Sequence, residues 1–553
     1  MKKKLPALFA LFLSMLTIYA QNDSLAYEKG LEAITHEAVK GQLDFLASDW
    51  TEGRGTGMRG EFIAGDYIAS IFGVYGLKPA GDMEWFYPPW EERQQGAKPY
   101  QYGTYFQNIT MLKYKAGEEQ VFHLMSGGKK FTFDYHTDFS LSPGSIAQEL
   151  ESELVFVGYG YVNEDEKYDD FKGVDVEGKV IVRLGGYPGH NDTSSDAYKK
   201  FHPEGRYAEY YLGREKNEIA GDKGVSGIID IYPGSDRSSS WVSNVPFRYD
   251  SDHYEGTEKQ RTIHEYSYSI PGDSISTRPL RISLSKGAGF EVFRGSNINI
   301  EAWELDVQER MKPDSRIIKN KSVYVKTSVD SELVRCRNVV GIIEGKDTTE
   351  AIIIGAHYDH LGMFDGYIWN GADDNASGTV GVMTLARACL ATGEKPERSI
   401  IFAAWTGEER GLLGSRYFVE HPYLPIEDIK FCLNYDMISR DSEDDSLGIQ
   451  CRMTYTAGHD FLEEISFHFL DQYKIDLDIT MRPSMNKGGG SDHSPFARKD
   501  IPFFYYMAGW HDEYHTPKDE IKLVNYQKMA DIIRIGFLNI WTMSNMESLD
   551  IEE

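Results

Sequence analysis

The sequence predicts an α/β protein with a largely parallel sheet flanked by helices, and a separate strand-rich domain in the middle of the chain. From about Ser322 onward, short apolar runs alternate with helical patterns, which is typical of a parallel sheet with crossover helices. Residues 117–321 carry short strand patterns separated by polar and aromatic segments. At 553 residues, the chain is long enough for more than one domain.

Helical patterns come first along the chain. Residues 34–77 contain two apolar clusters at helical spacing, separated by the Gly-rich loop WTEGRGTGMRG. Residues 105–113 have the pattern of a strand. The middle region adds strand patterns at residues 153–161, 179–184, 224–232 and 279–285.

Composition and charge exclude several classes of protein. Hydrophobic residues make up 41% and charged residues 26%, so the chain is neither mainly disordered nor collagen-like. Acidic residues number 86 against 58 basic residues, which gives a net charge of -28. Such a surface repels nucleic acid and anionic membranes, so we expect neither as a partner. The charge can also serve solubility alone.

The first twenty residues resemble a signal peptide. Lys2–Lys4 form a basic start, and the apolar run Leu5–Ala20 is short for a membrane span. We expect cleavage after Ala20, export to the periplasm or the extracellular space, and no membrane insertion afterwards. An uncleaved anchor helix is the alternative. The oligomeric state cannot be read from the sequence.

Histidine and acidic residues follow four apolar runs in the last part of the chain. In an open α/β sheet, functional residues collect where the strands meet their following loops, so we expect these side chains to share one crevice. Clustered carboxylates are unfavourable unless a cation neutralises them. The runs are AIIIGAHYDHLG (351–362), SIIFAAWTGEERGLLGS (399–415), KFCLNYDMIS (430–439) and IPFFYYMAGWHDEYHTPKDE (501–520), and the acidic segment NGADDNASG (370–378) opens a helical stretch.

The types of ligand indicate the metal ion. Imidazole and carboxylate groups suit zinc, with manganese or cobalt as weaker choices. The four cysteines form no CxxC pair, which excludes a cysteine-rich zinc site. Enough ligands are present for two ions, and one carboxylate must then bridge them.

Spacing within the motifs predicts separate roles. His357 and Asp359 are two residues apart on an extended segment and point the same way, so Asp359 can orient His357. Glu408 and Glu409 are adjacent and point apart, so one can bind metal while the other faces the attacking water.

Each of these residues also has an ordinary interpretation when taken alone. The pair Glu408–Glu409 would usually be a solvated loop, Asp373–Asp374 an N-cap, and His515 a surface or core residue. Their joint appearance in this order favours a site. His360 is interpreted as an ordinary residue, with a place in the lining of the pocket as the alternative.

Taken together, these motifs resemble the secreted dinuclear-zinc aminopeptidases, in the superfamily that also contains glutamate carboxypeptidase, glutaminyl cyclase and the transferrin receptor. The motifs are AHYDHLG, NGADDNASG, GEERGLLGS, NYDMIS and YHTPKD. The resemblance covers nearly all of the chain after the signal peptide. It implies a zinc exopeptidase fold in which residues 21–116 and 322–553 form the catalytic domain and residues 117–321 an inserted, β-rich protease-associated domain.

The resemblance also implies a set of metal ligands. In this family pattern His357 binds one metal and Asp436 shares it, while Glu409 and His515 bind the other, and Asp374 matches the bridging carboxylate. It implies two Zn²⁺ per chain, with Mn²⁺ or Co²⁺ as possible substitutes.

Further roles follow from the same resemblance. Glu408 matches the general base, Asp359 the residue that orients the first histidine, and Tyr514 a tyrosine that can hydrogen-bond the reaction intermediate. The segment GGGSDHSPF, residues 488–496, resembles a loop that lines the substrate pocket.

We therefore expect a zinc-dependent aminopeptidase that removes N-terminal residues from peptides with a water activated by two metals. The complete ligand set argues against a relative that only binds. Four alternatives stay open: a carboxypeptidase, a glutaminyl cyclase, a peptide-binding protein without catalysis, and a metal-dependent phosphatase or nuclease. The charge and the absence of a basic phosphate patch near the motifs disfavour the last. The side-chain preference cannot be read from the sequence.

Overall fold

The computed structural model describes residues 24–135, 137–142, 144–203, 208–231, 266–272, 279–364 and 366–549. The described residues form two compact units. The first contains residues up to Met111 and from Val334 onward, and the second contains those between Leu112 and Leu333. The predicted signal peptide, residues 1–20, lies outside the described residues.

The first unit contains the α/β architecture that the last part of the sequence indicates. Its helices are Ser24–Ala33, His36–Leu46, Arg59–Tyr75, Trp90–Gln94, Gly378–Ala391, Leu413–Glu420, Phe461–Tyr473, His493–Ala497 and Tyr526–Asn545. Its short strands outside the main ladder are Lys78–Pro79, Met83–Phe86, Tyr100–Gly103, Gly362–Phe364 and Tyr367–Trp369.

One mixed sheet crosses this unit. Among the described residues, and leaving out the short edge strand Ser267–Ser269, its strands run in the order Phe106–Ala116, Val329–Ile343, Arg398–Trp405, Asp347–His357, Ile429–Tyr435, Phe503–Met507, Gln450–Thr456 and Asp478–Ser484. The four strands from Arg398–Trp405 to Phe503–Met507 are mutually parallel, and their outer neighbours pair with them antiparallel. The mixed, largely parallel sheet flanked by helices confirms the predicted fold class.

Apolar side chains cover both faces of the central strands. Ile352 and Ile354 pack into one hydrophobic cluster, whereas Ile353 between them packs into another on the opposite face. This alternation follows from the two-residue period of a strand. Because both faces are buried, the strands read as continuous apolar runs, and polar residues become accessible only where the strands end.

The Gly-rich loop of the N-terminal segment contains a fully buried arginine. The Arg54 guanidinium donates hydrogen bonds to the carbonyl oxygens of Leu46 at 2.5 Å, Asn370 at 2.7 Å, Tyr358 at 2.8 Å and Gly371 at 2.9 Å. Burial lowers the pKa of Arg54 to about 10, although nearby carboxylates oppose the shift, so the side chain stays charged. Arg54 thereby ties the N-terminal helices to two loops of the sheet.

The second unit is also built on a sheet. In its described part, the strands run in the order Lys129–Phe133, Val121–Ser126, Arg316–Lys326, Glu149–Phe156, Val180–Leu184, Gly227–Ile231, Leu280–Leu284 and Phe139–Ser142. The shorter strands are Val162–Asn163, Tyr168–Asp169 and Ser267–Ser269, and the helices are Asp196–Phe201, Ala208–Asp222, Lys286–Phe293 and Ile300–Arg310. The assignment of residues 117–321 as an inserted protease-associated domain stays a prediction.

Most strand positions predicted in this region agree with the structure to within a few residues. Residues 153–161 are the exception, because the strand there is Glu149–Phe156. Gly158 and Gly160 follow it with φ of 54° and 62°, values that an extended strand does not allow. No helix in the described part of the chain is both long and apolar enough to span a membrane.

We expect Arg54→Met to destabilise the protein strongly. Each buried carbonyl oxygen left without a donor costs about 1–3 kcal/mol, so the free energy of unfolding should fall by at least about 3 kcal/mol. Urea unfolding followed by circular dichroism measures the change. Arg59→Met is the matched control, since the Arg59 side chain is 74% exposed and its ion pair with Glu52 is worth about 1 kcal/mol or less. Equal destabilisation by both substitutions would contradict this account of Arg54.

Candidate metal centre

Five predicted ligands meet at one point in the first unit. His357 Nε2 lies 3.4 Å from Asp374 Oδ1 and 3.5 Å from Asp436 Oδ1. His515 Nε2 lies 2.9 Å from Asp374 Oδ2 and 3.4 Å from Glu409 Oε2. Asp374 therefore directs one carboxylate oxygen to each of two pairs, His357 with Asp436 and His515 with Glu409.

The parallel strands explain this convergence. His357 is the last residue of its strand, and Asp436 directly follows the strand Ile429–Tyr435. Glu409 and His515 lie in the loops that follow the strands Arg398–Trp405 and Phe503–Met507. Parallel neighbours end at the same edge of a sheet, so residues far apart in sequence become close in space.

The segment around Asp374 is fixed from two sides. The Asp374 N–H donates to Asp519 Oδ2 at 3.0 Å. The side chain of Asn375 donates to the carbonyl of Tyr435 at 2.9 Å and accepts from the Met437 N–H at 3.2 Å. Asn375 thus joins the Asp374 segment to the strand end that carries Asp436. Neither Asn375 nor Asp519 is among the predicted site residues.

Glu408 also lies at this point, with its Oε2 3.8 Å from His357 Nε2. Its N–H donates to Asp359 Oδ1 at 3.0 Å, and the Thr56 hydroxyl donates to Asp359 Oδ2 at 2.8 Å. His357 Nδ1 lies 3.1 Å from the main-chain carbonyl of Asp359 and 3.8 Å from its carboxylate. The main-chain oxygen of Asp359 therefore contacts His357, while its carboxylate positions the Glu408 segment.

Tyr514 packs beside the second histidine. Its ring stacks on His515 with centroids 3.8 Å apart, and the ring of Trp510 contacts it edge-on at 4.9 Å. Burial raises the pKa of Tyr514, and the carboxylates of Asp374 and Glu409 raise it further. The phenol therefore stays protonated and can donate a hydrogen bond.

The donor set fits zinc. Neighbouring ligands of tetrahedral zinc lie about 3.3–3.6 Å apart, given bond lengths of about 2.0–2.2 Å. Three of the four distances given above between candidate ligand atoms, at 3.4, 3.5 and 3.4 Å, fall in this range. The ligand atoms of His357, Asp374 and Asp436 all lie within 4.8 Å of one another, and so do those of His360, Asp374 and Glu409. His360 is a residue that the sequence interpretation left outside the site.

Comparison with known proteins identifies the domain that carries these residues. Residues 338–537 match peptidase family M28. The chain carries a domain of this family. All five predicted metal ligands lie within it, and the match confirms the family that the motifs indicated.

Individual relatives match parts of the chain. Leucine aminopeptidase 2 of Arthroderma otae is 32% identical over 170 residues, which are 30% of this chain and 32% of that protein. A glutamate carboxypeptidase 2 homolog of Caenorhabditis elegans is 27% identical over 293 residues, 49% of this chain and 35% of that protein. The chain thus spans about a third of the length of the curated relatives it matches.

One solved structure shares the fold over almost the whole length of both chains. An aminopeptidase from Aneurinibacillus sp. strain AM-1 matches with a TM-score of 0.53 and 18% identity. The match covers 95% of this chain and 98% of that chain. At this level of identity the likeness concerns the fold.

The M28 domain contains a further buried carboxylate near the cluster. Asp492, in the segment GGGSDHSPF, accepts a hydrogen bond from the Ser415 hydroxyl at 2.5 Å. Burial raises the pKa of Asp492 to about 7, and repulsion by Asp436 adds to it, whereas His357 opposes the shift. The sequence indicated this loop through its motif but gave no role to Asp492.

Burial and the charges of neighbouring groups shift the pKa values of the residues in this cluster. Burial raises the pKa of Glu408 well above its usual value, and the neighbouring Asp492 contributes in the same direction. Burial opposes protonation of His515, but Glu409 and Asp374 outweigh it and raise the pKa of this imidazole to about 11. In the absence of metal, a proton on His515 thus offsets part of the negative charge, and a metal ion would replace it.

We expect zinc to stabilise the protein through Asp374. A ligand at 100 times its Kd adds about 2.7 kcal/mol to the stability of the state that binds it. Zinc added to chelator-treated protein should therefore raise its melting temperature, and Asp374→Ala should remove most of this shift. Differential scanning fluorimetry measures both.

Asp512→Ala is the control for this experiment, because Asp512 is an exposed carboxylate in the same loop as His515. It should keep the full shift. An equal shift in wild type and Asp374→Ala would contradict a metal site at Asp374.

Proposed function

We propose that the protein is an exported, zinc-dependent aminopeptidase that hydrolyses the N-terminal peptide bond with two metal ions, Glu408 being the general base. One observation carries the proposal. The two oxygens of Asp374 face two separate pairs of ligands, His357 with Asp436 and Glu409 with His515. This is the arrangement that a bridging carboxylate requires.

The residues for each ion follow from these distances. His357 and Asp436 would hold the first ion, Glu409 and His515 the second, and Asp374 would contribute to both. When bound, the ions supply Lewis acidity and lower the pKa of a coordinated water towards neutrality. The chain must then provide a proton acceptor beside the ligands.

Glu408 supplies that acceptor. Its Oε2 lies 3.8 Å from His357 Nε2, at the rim of the ligand cluster. Burial raises its pKa, and a raised pKa makes the carboxylate a better proton acceptor near neutral pH. Its position is fixed by the bond from its own N–H to Asp359. Glu408 can accept a proton from water and later deliver it to the departing amine.

Tyr514 is suited to hydrogen-bond the developing oxyanion. Its phenol stays protonated because burial and Asp374 raise its pKa. Its ring is stacked on His515, and the phenol is close enough to Asp374 and Glu409 for their charges to act on it. A donor fixed in advance stabilises charge that develops during the reaction.

A carboxypeptidase is the second candidate. The Caenorhabditis elegans relative that matches 49% of this chain is named a glutamate carboxypeptidase 2 homolog. The fungal leucine aminopeptidase shares the higher identity, 32% against 27%, although over a shorter stretch. The identity favours removal of the N-terminal residue, and the choice between the two reactions is open to experiment.

We expect Glu408→Gln to slow turnover strongly without loss of metal. A general acid–base group contributes about 10²–10⁴-fold in rate, and kcat should fall by this factor. Steady-state kinetics and elemental analysis of the same sample separate the two effects. Glu420→Gln, at the exposed end of the helix that follows the loop, should behave as wild type. Near-normal kcat in Glu408→Gln would remove Glu408 from this role.

Peptides with a chemically blocked N-terminus or C-terminus distinguish the candidate reactions. We expect cleavage of peptides and aminoacyl amides with a free N-terminus, no cleavage after N-acetylation, and indifference to amidation of the C-terminus. Mass spectrometry of the products identifies the bond that breaks, and a chelator should stop the reaction. Leucyl substrates are a natural start, given the name of the fungal relative. Cleavage of N-acetylated peptides at the C-terminus would favour the carboxypeptidase.

A further inference from the structure

His360 is a buried histidine that contacts the proposed metal centre without belonging to the predicted ligand set. It directly follows Asp359 and has no exposed surface. Its Nδ1 lies 2.8 Å from Glu409 Oε1 and 3.8 Å from Asp374 Oδ2. A carboxylate only accepts, so the hydrogen bond runs from the Nδ1–H of His360 to Glu409.

The two oxygens of Glu409 have different partners. Oε1 accepts from His360, whereas Oε2 lies 3.4 Å from His515 Nε2. The hydrogen bond from His360 therefore occupies a different oxygen from the one that lies near His515. The other oxygen remains available to a cation shared with His515 and Asp374.

His360 is held in place at its main chain and at its ring. Its main-chain N–H donates to the carbonyl of Arg54 at 3.0 Å. A Cβ at Gly371, where φ is 50°, would lie 2.4 Å from His360 Cδ2, so the main chain of Gly371 packs directly against the ring. The donor therefore has a defined position and direction.

From these contacts we infer that His360 is a positioning residue, which fixes Glu409 so that it coordinates the second ion through Oε2 alone. The inference rests on the proposed metal function. A hydrogen bond to the oxygen that does not bind the metal sets the orientation of a ligating carboxylate. It also disfavours coordination through both oxygens. The same contact would be lost if His360 were itself a ligand through Nδ1.

Zinc titration of chelator-treated variants tests this role. We expect His360→Ala to weaken the binding of one of the two zinc ions about 10–100-fold and to leave the binding of the other unchanged. Substitution of a group that hydrogen-bonds a metal ligand has effects of this size. Competition with a chelator of known affinity gives both dissociation constants. Substitution by Co²⁺ gives a visible spectrum that reports the altered coordination independently of activity.

Two amide variants separate the hydrogen bond from the packing of the ring. His360→Asn places an N–H donor near the position of Nδ1 and should restore most of the affinity, whereas His360→Gln places it elsewhere and should not. They decide the question even if His360→Ala fails to fold. His459→Ala is the matched control, because His459 is a buried histidine whose Nδ1 contacts the main chain of Thr456.

Three outcomes would overturn the inference. One is wild-type affinity for both ions in His360→Ala, and another is equal affinity in the Asn and Gln variants. The third is loss of a whole ion at saturating zinc, which would make His360 a ligand. Failure of the metal function itself would look different, since wild-type protein would then bind no pair of ions and Asp374→Ala would change nothing.

Discussion

The position of one carboxylate, that of Asp374, organises the site. Its two oxygens lie within 3.4 Å and 2.9 Å of two histidines that are 158 residues apart in sequence, His357 and His515. Each histidine is accompanied by a further carboxylate, so negative charge accumulates around a buried centre. Such a cluster is stable only with cations or protons among its members. The protein supplies one compensation itself through the raised pKa of His515, and metal ions would supply a stronger one.

The surrounding structure holds this repulsive group together. Asp519 and Asn375 fix the main chain on both sides of Asp374, and Asp359 fixes that of Glu408. Arg54 donates hydrogen bonds to carbonyl oxygens of two further loops. Its guanidinium group also places a positive charge near the carboxylates. The N-terminal segment is therefore part of the site, although it provides none of the predicted ligands. It acts on the orientation of the loops that provide them.

The sequence indicated site residues where they lie at the end of a predicted strand. His357 and Asp436 could be predicted because apolar runs mark the buried strands and polar residues mark their ends. His360, Asn375 and Asp492 were missed because their partners come from other segments of the chain. His360 meets Glu409 across 49 residues, and spacing within one motif cannot indicate such a contact. Asp359 illustrates the same limit: spacing placed its carboxylate towards His357, whose Nδ1 lies 3.8 Å away, but could not indicate that the carboxylate also accepts hydrogen bonds from Thr56 and the Glu408 N–H. In the second unit, glycines with positive φ ended a strand earlier than the apolar pattern indicated.

Anomalous diffraction at the zinc absorption edge, on crystals of the zinc-loaded protein, tests the central claim most directly. The account predicts two peaks on either side of the Asp374 carboxylate, one beside His357 and Asp436 and the other beside Glu409 and His515. A single peak, or peaks that do not contact both oxygens of Asp374, would contradict it.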